Sequence, residues 1–299
     1  MLSINKLKIT PDILKRISEI DAFKGYWTAL EENTTALNLI GDVASFGQNF
    51  KTLIDPLKNK TIDTDMLIKL HMVVMRSKEP PFIKTGHMPI VIQQGEKIIG
   101  TLDTAAPEEV EALMDNLIVW LNRSLDDDRF HPLLVTALFS AIFLQIGPFE
   151  QGNQKLIRLL ITLMMLKSGY NYAPYISFEN ILMERSQAYY NALDKVQQNI
   201  EEGVMDFEPW ILFFLDCALE QIHQLQTRLA RGTKDLSGMP KLSIKIMKLF
   251  EANDRLQMKE IERLTRGRRS TLKLRLAELV DEGYLKRHGQ ARSTWYSRI

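Results

Sequence analysis

The sequence predicts a mainly α-helical protein in two parts: a large helical domain carrying one small β-hairpin, and a small C-terminal α+β domain. Three observations predict it. Apolar residues recur at helical spacing through most of residues 10–230. One extended stretch interrupts them, Met88-Pro89-Ile90-Val91-Ile92, followed by a Gln94-Gly95-Glu96-Lys97 turn and Ile98-Ile99, which is the pattern of a short hairpin. Residues 232–239 are polar and contain glycine, which marks a linker, and the chain changes charge beyond them.

The charge change is large. From Pro240 onward there are 15 Lys and Arg against 7 Asp and Glu, a net of +8, while the remainder carries −7; together they give the overall +1. A basic tail on an acidic body points to a polyanion partner for the tail alone. Of the 299 residues, 45% are hydrophobic and 25% charged, the composition of an ordinary globular chain. The single cysteine, Cys217, excludes an internal disulfide framework and any Cys-based zinc site. It lies in an apolar helical run and reads as a buried structural thiol. Met1 to Lys8 lacks the apolar core of a signal peptide. The longest apolar stretch, Leu133 to Ile146, falls short of the about 20 residues that a membrane helix needs. The expectation is a cytoplasmic protein with no membrane partner.

The elements follow in order. Pro11 to Glu32 carries Ile13, Leu14, Ile17, Ile20, Phe23, Tyr26, Trp27 and Leu30 on a helical stripe. Thr64 to Arg76 is a second helix, and Pro80-Pro81 breaks the chain before the hairpin. Pro107-Glu108-Glu109 has first-turn chemistry, since Pro needs no N–H there and acids suit the helix dipole; that helix runs to about Asn122. Pro132 opens a helix that ends near Ile146, and another runs from Asn153 to Lys167. Single helices are expected over Phe178–Ile200 and Phe207–Arg231.

Between the two most apolar helices lies Gly147-Pro148-Phe149-Glu150-Gln151-Gly152-Asn153-Gln154-Lys155-Leu156-Ile157-Arg158. A loop that starts a helix aims free N–H groups and the positive dipole end at whatever stands before it, which suits an anion. Gly152 permits close approach, and Lys155 and Arg158 share a helix face. The same spacing also fits a plain helix–helix turn with solvated basic residues. This segment resembles the signature of the Fic family, His-Pro-Phe-x-Asp/Glu-Gly-Asn-Gly-Arg-x-x-Arg. Pro148, Phe149, Gly152, Asn153 and Arg158 match it in register. Ser18 to Trp27 is similar to the family's N-terminal helix, Thr85–Thr101 to its substrate-positioning flap, and Tyr189 to Leu193 to a later helix. The resemblance implies a Fic-like domain over residues 1–231, with a flap at about 85–101 and a motif loop at 147–158.

The departures bear on chemistry. The family's motif His is a general base for a target hydroxyl, a role worth about 10²–10⁴-fold. Gly147 stands at that position. The family's motif acid holds Mg²⁺; here it is Gln151, a neutral amide, so no metal ligand is assigned and any Mg²⁺ dependence should be weak. Glu150 is one residue early and is expected to point elsewhere. Gln154 replaces the second glycine and adds bulk, while Lys155 replaces the first arginine and loses its bidentate fork. The residues assigned to nucleotide or anion binding are Gly152, Asn153, Gln154, Lys155 and Arg158. The family's inhibitory helix, with its Glu, aligns with Ala44 to Ile54, where Leu53 takes the place of that Glu. His71 reads as a core or edge residue, His131 as a helix-start residue, and His87 as a hairpin residue within possible reach of the pocket.

Residues 240–299 divide into helices at Ser243–Glu251, Met258–Leu264 and Ser270–Glu282, with Thr265-Arg266-Gly267 as the tight turn. Tyr284–Arg287 and Ser293–Tyr296 read as two strands around a basic, glycine-containing tip. The segment resembles a winged helix-turn-helix domain. Arg266, Arg268, Arg269, Ser270, Thr271 and Lys273 gather at the start of the third helix, which such domains place in the major groove; Arg292 sits in the wing. These are the assigned DNA contacts, and a protein-interaction or dimerisation module is the competing use.

The sequence thus predicts a regulatory protein: a Fic-like domain with a degenerate motif, no certain cofactor though ATP or another nucleotide is possible, joined to a DNA-binding winged helix. Expected partners are DNA, a protein at the flap and a second copy of the chain. The alternative is an ATP-dependent protein adenylyltransferase, or a related transferase, with altered motif chemistry.

Overall fold

The computed structural model describes residues 7–32, 56–57, 59–127, 130–232, 239–250, 253, 255–282, 284–289 and 294–298. These form two compact units that meet in sequence between Thr227 and Arg228. The stretch aligned with the family's inhibitory helix, Ala44 to Ile54, lies outside the described residues.

The first unit is built around two central helices, α4 (Pro132–Ile146) and α5 (Asn153–Lys167). In α4 every residue from Leu133 to Leu144 is buried, because neighbours cover all of its faces. Before them come α1 (Pro11–Glu32), α2 (Thr64–Met75) and α3 (Val110–Asp126), the last entered through a 3₁₀ turn at Pro107–Glu109. After them come α6 (Phe178–Glu184), α7 (Ser186–Glu201) and α8 (Glu208–Gly232). The strands β1 (Ile90–Gln94) and β2 (Lys97–Leu102) form an antiparallel hairpin with an irregularity between Ile92 and Gln93.

The predicted stripe of α1 is narrower than its apolar residues suggest. Ile13, Ile17, Ile20, Phe23 and Trp27 are buried, whereas Leu14 and Tyr26 are exposed. Phe23 meets Tyr172 edge-on at 5.1 Å, and the Tyr170 hydroxyl donates to Asp21 Oδ1 at 2.7 Å. Trp210 of α8 donates its indole N–H to Ala137 O at 2.7 Å, so its polar tip is satisfied inside the core.

One predicted helix is two. The run expected over Phe178–Ile200 breaks at Arg185 (φ −106°, ψ 27°), separating α6 from α7. Arg185 turns its guanidinium toward Phe213, 5.5 Å from the ring centroid, and reaches Cys217 Sγ at 3.8 Å. The hairpin lies against α7 through Gly100, where a Cβ would collide with the Tyr190 ring.

The second unit contains α9 (Lys241–Leu249), β3 (Leu256–Gln257), α10 (Met258–Thr265), α11 (Arg269–Asp281), β4 (Leu285–His288) and β5 (Trp295–Arg298). Its strands pair antiparallel in the order β3-β5-β4, so the two-residue strand β3 adds to the predicted hairpin. Ile246, Phe250, Ile261, Leu272, Leu276, Leu279, Leu285 and Tyr296 form its own core. Among the described residues no helix is long and apolar enough to cross a membrane.

The Cys217 thiol is fully buried, and desolvation pushes its pKa up to about 12. A maleimide reagent at pH 8 should therefore leave the native chain unlabelled and label it stoichiometrically in denaturant. Rapid labelling of the native protein at pH 8 would contradict this packing.

Candidate functional site

The motif loop joins α4 to α5, and three sets of contacts hold it. Gly147 caps α4 in the left-handed region (φ 53°, ψ 61°), its N–H donating to Phe143 O. Extended chain at residues 82–84 then pairs with the loop: Lys84 N–H donates to Pro148 O at 3.1 Å, and Glu150 N–H to Phe82 O at 3.1 Å. Asn153 closes the loop on itself. Its Oδ1 accepts from Phe149 N–H at 3.1 Å, and its Nδ2 donates to Phe149 O at 2.7 Å. Asn153 is thus a buried clamp, with both ends of its amide engaged by the loop.

His71, read from sequence as a core or edge residue, has a role that its pattern did not reveal. It is buried, its Nε2 lies 2.8 Å from Gln151 O, and its ring packs 4.8 Å from that of Phe149. Donation to a carbonyl requires the proton on Nε2. Gly152 follows in the left-handed region (φ 81°), where a Cβ would stand 2.7 Å from His71 Nε2. Both the dihedral and the close packing demand glycine.

A hollow of about 270 Å³ opens before the N-terminus of α5. Gly152, Asn153, Gln154 and Lys155 line it on one side, and Ile90 and Val91 of the hairpin on the other. Gln154 spans it, with Nε2 donating to Val91 O at 2.8 Å and Oε1 accepting from Arg158 Nη2 at 3.3 Å. Arg158 in turn pairs with Glu179 of α6 at 2.8 Å. The five residues assigned together from sequence therefore divide. Arg158 faces a neighbouring cleft of about 610 Å³, which also takes in Arg76, Lys155, Ser177 and Glu179. Lys155 borders both spaces. Glu150 lines the hollow, although its register had placed it elsewhere, and Gln151 is exposed beside it.

Lys84 was missed by sequence reasoning. It is 2% exposed, and its Nζ donates to Ile146 O and to Thr104 Oγ1, each at 2.8 Å. Burial lowers its pKa, opposed by Asp103. An ammonium at the C-terminal end of a helix is favoured by the helix dipole. Thr104 also crowds Gly147: a Cβ there would lie 2.8 Å from Thr104 Cγ2. The other histidines sit apart from the hollow. His87 is exposed and pairs with Asp103 at 3.0 Å. His131 caps α4, accepting from Leu133 N–H through Nδ1 and meeting Asp21 at 3.0 Å through Nε2.

In the second unit, Arg266 makes the turn between α10 and α11 in the left-handed region (φ 54°). Thr265 Oγ1 accepts from Gly267 N–H at 3.2 Å, and Lys245 Nζ donates to Thr265 O at 2.8 Å. Arg268, Arg269, Ser270, Thr271 and Lys273 are all exposed at the start of α11. Arg269 pairs with Glu262 at 3.2 Å. Arg292 lies outside the described residues.

Residues 61–165 match the model of the Fic/DOC family. Two relatives, each named protein adenylyltransferase Fic, align with about half of the chain. The one from Aedes aegypti is 28% identical over 160 residues, which cover 54% of this chain and 28% of that protein. The one from Drosophila mojavensis is 24% identical over 180 residues, covering 59% and 33%. The chain thus spans a third or less of the length of these relatives. A crystal structure of a Fic family protein from Desulfovibrio desulfuricans shares the fold, with a TM-score of 0.55, 17% identity and coverage of 98% of this chain and 97% of that one. Residues 61–165 are thus similar to the Fic/DOC family, and the fold is the one seen in a Fic family protein.

The packing at Gly147 gives a direct test. Gly147→His forces a side chain into a left-handed residue and against Thr104 Cγ2, so unfolding free energy should fall by about 1–2 kcal/mol from the dihedral alone. Adding Thr104→Ser removes that methyl but keeps the hydroxyl that Lys84 uses, and should recover part of the loss. A denaturant titration in which Gly147→His is as stable as the parent would refute this account.

Proposed function

We propose that this chain is a regulatory protein in which a catalytically silent Fic domain is coupled to a DNA-binding winged helix. The observation that carries the first half is Gly147. Its position, which in the family holds the general base, has no side chain, and the space beside it is filled by Thr104, itself held by Lys84. The hollow before α5 keeps the helix N–H groups and Lys155, so it suits a phosphate or another anion. Gln154, however, bridges the slot, and Arg158 is already paired with Glu179. A nucleotide seated there has to displace Gln154 from Val91, and the residue at the metal-acid position is the amide Gln151. We therefore assign weak nucleotide affinity with little Mg²⁺ dependence, and no AMP transfer.

The basic helix start of the second unit supports the second half. Arg266, Arg268 and Lys273 surround the exposed end of α11, where the helix dipole also favours phosphate. Pairing of this kind on a symmetric site would draw two copies of the chain together.

The alternative is the activity for which the relatives are named, protein adenylyltransfer. One observation favours it: Lys84 places a buried amine with a lowered pKa beside Gly147.

Incubation with α-labelled ATP and Mg²⁺ or Mn²⁺ should give no label on the chain or on added protein. Labelling that both Arg158→Ala and Lys84→Met abolish would establish the alternative. For the second unit, fluorescence anisotropy of the full chain on duplex DNA across a salt series should give a log–log slope of about −5, if about six phosphates are neutralised. Arg268→Ala with Arg269→Ala should weaken binding and relax sequence preference. A folded chain that binds no duplex at low salt would hand the unit to protein interaction.

A further inference from the structure

The outward face of α11 carries an apolar residue that no core explains. Leu272, Leu276 and Leu279 point inward and are buried. Leu274 is 55% exposed on the opposite side. At 100° per residue, Ser270, Leu274 and Ala277 fall on one outward strip, with Thr271 on one flank and Lys273 on the other. All five are exposed.

Charge divides this face along its length. Arg266 and Arg268 precede the helix and Lys273 lies in its first half, whereas the exposed Asp281 and Glu282 close its second half. Arg275 is withdrawn from the surface field by Glu278 at 2.6 Å. A polyanion can therefore approach the N-terminal half and is repelled by the C-terminal half. The strip that such an approach brings to the base edges begins with a hydroxyl and continues with Leu274.

We propose that Leu274 reads thymine, packing against its C5-methyl group in the major groove, while Lys273 holds a flanking phosphate. This rests on the DNA-binding reading given above and specifies what the helix recognises. In the major groove the thymine methyl is the one apolar group that a base pair displays, and an apolar side chain with no donor or acceptor can discriminate only by covering it. Ser270, one turn earlier, supplies a hydroxyl for a neighbouring base edge, and Ala277 leaves room beside Leu274.

The test uses the full chain and duplexes that it selects from a randomised pool. Each thymidine in a selected duplex is replaced in turn by 2′-deoxyuridine, which differs only in lacking the methyl. At one or two positions per half-site the wild type should lose about fourfold in affinity, the value of one buried methyl. Leu274→Ala should bind the thymidine duplex correspondingly less well and show no further loss with deoxyuridine. Because Leu274 is exposed, the variant should keep the parent's circular dichroism, and the base substitution leaves the protein unaltered in any case. If the wild type binds selected duplexes well but tolerates deoxyuridine everywhere, the methyl reading falls and the DNA reading stands. If selection enriches no sequence and no duplex binds at low salt, both fall. If Leu274→Ala leaves DNA affinity unchanged and instead dissociates a dimer in sedimentation, the strip belongs to a second copy of the chain.

Discussion

A helix buried on every side cannot send its end groups to water. That constraint governs α4, and the arrangement of the first unit follows from it. Unpaired N–H and C=O groups at a buried terminus cost as much as lost hydrogen bonds. At the N-terminal end, His131 accepts from Leu133 N–H and is itself anchored by Asp21 of α1. At the C-terminal end, Gly147 reverses the chain and donates to Phe143 O, and Lys84 donates to Ile146 O. Each end of one helix is thereby tied to a distant part of the chain. Burying an ammonium is costly, and the lowered pKa of Lys84 expresses that cost. Two good acceptors and the dipole of α4 offset it.

Lys84 matters because of what travels with it. Its backbone pairs with Pro148, so the segment that seals α4 also forms a wall of the motif loop. Asn153 and His71 then fix the loop from within and from α2. The loop is consequently held by its own neighbours in the chain, the arrangement that the proposed anion cradle requires. Gln154 works in the opposite sense. It joins the cradle to the hairpin and, through Arg158, to Glu179, so the slot is preorganised in a closed form.

Much of this was legible in the sequence. Pro132 and Gly147 bracket α4, and Gly152 caps the start of α5, because proline and glycine carry local geometry. The glycine at 152 and the charge cluster at the start of α11 were equally plain. What escaped depends on residues distant in the chain. Arg185 sits in an unbroken helical pattern with no glycine or proline; its break comes from Phe213 and Cys217, about thirty residues on. The strand β3 is two residues long and exists through its pairing with Trp295 and Tyr296. Lys84 lies in a loop, where a lysine is ordinarily solvated, and nothing nearby announces that a helix end lies beneath it. That Asn153 clamps the loop and Arg158 faces the adjoining cleft is likewise set by the fold and not by their register. Register gives position along the helix, and the partners of a polar side chain lie off it.

The bond from Gln154 to Val91 has a further consequence. A ribbon of two strands has no interior strand, so the backbone groups along β1 stand ready to template another extended chain. One carbonyl of β1 is already taken by a side chain, Val91 O by Gln154, and just before the strand Met88 O is taken by the Thr104 hydroxyl. An extended segment adding to β1 would find its ladder interrupted at both. The substitution that narrows the slot thus also blunts an open sheet edge, protecting the chain from edge-to-edge association with its own copies.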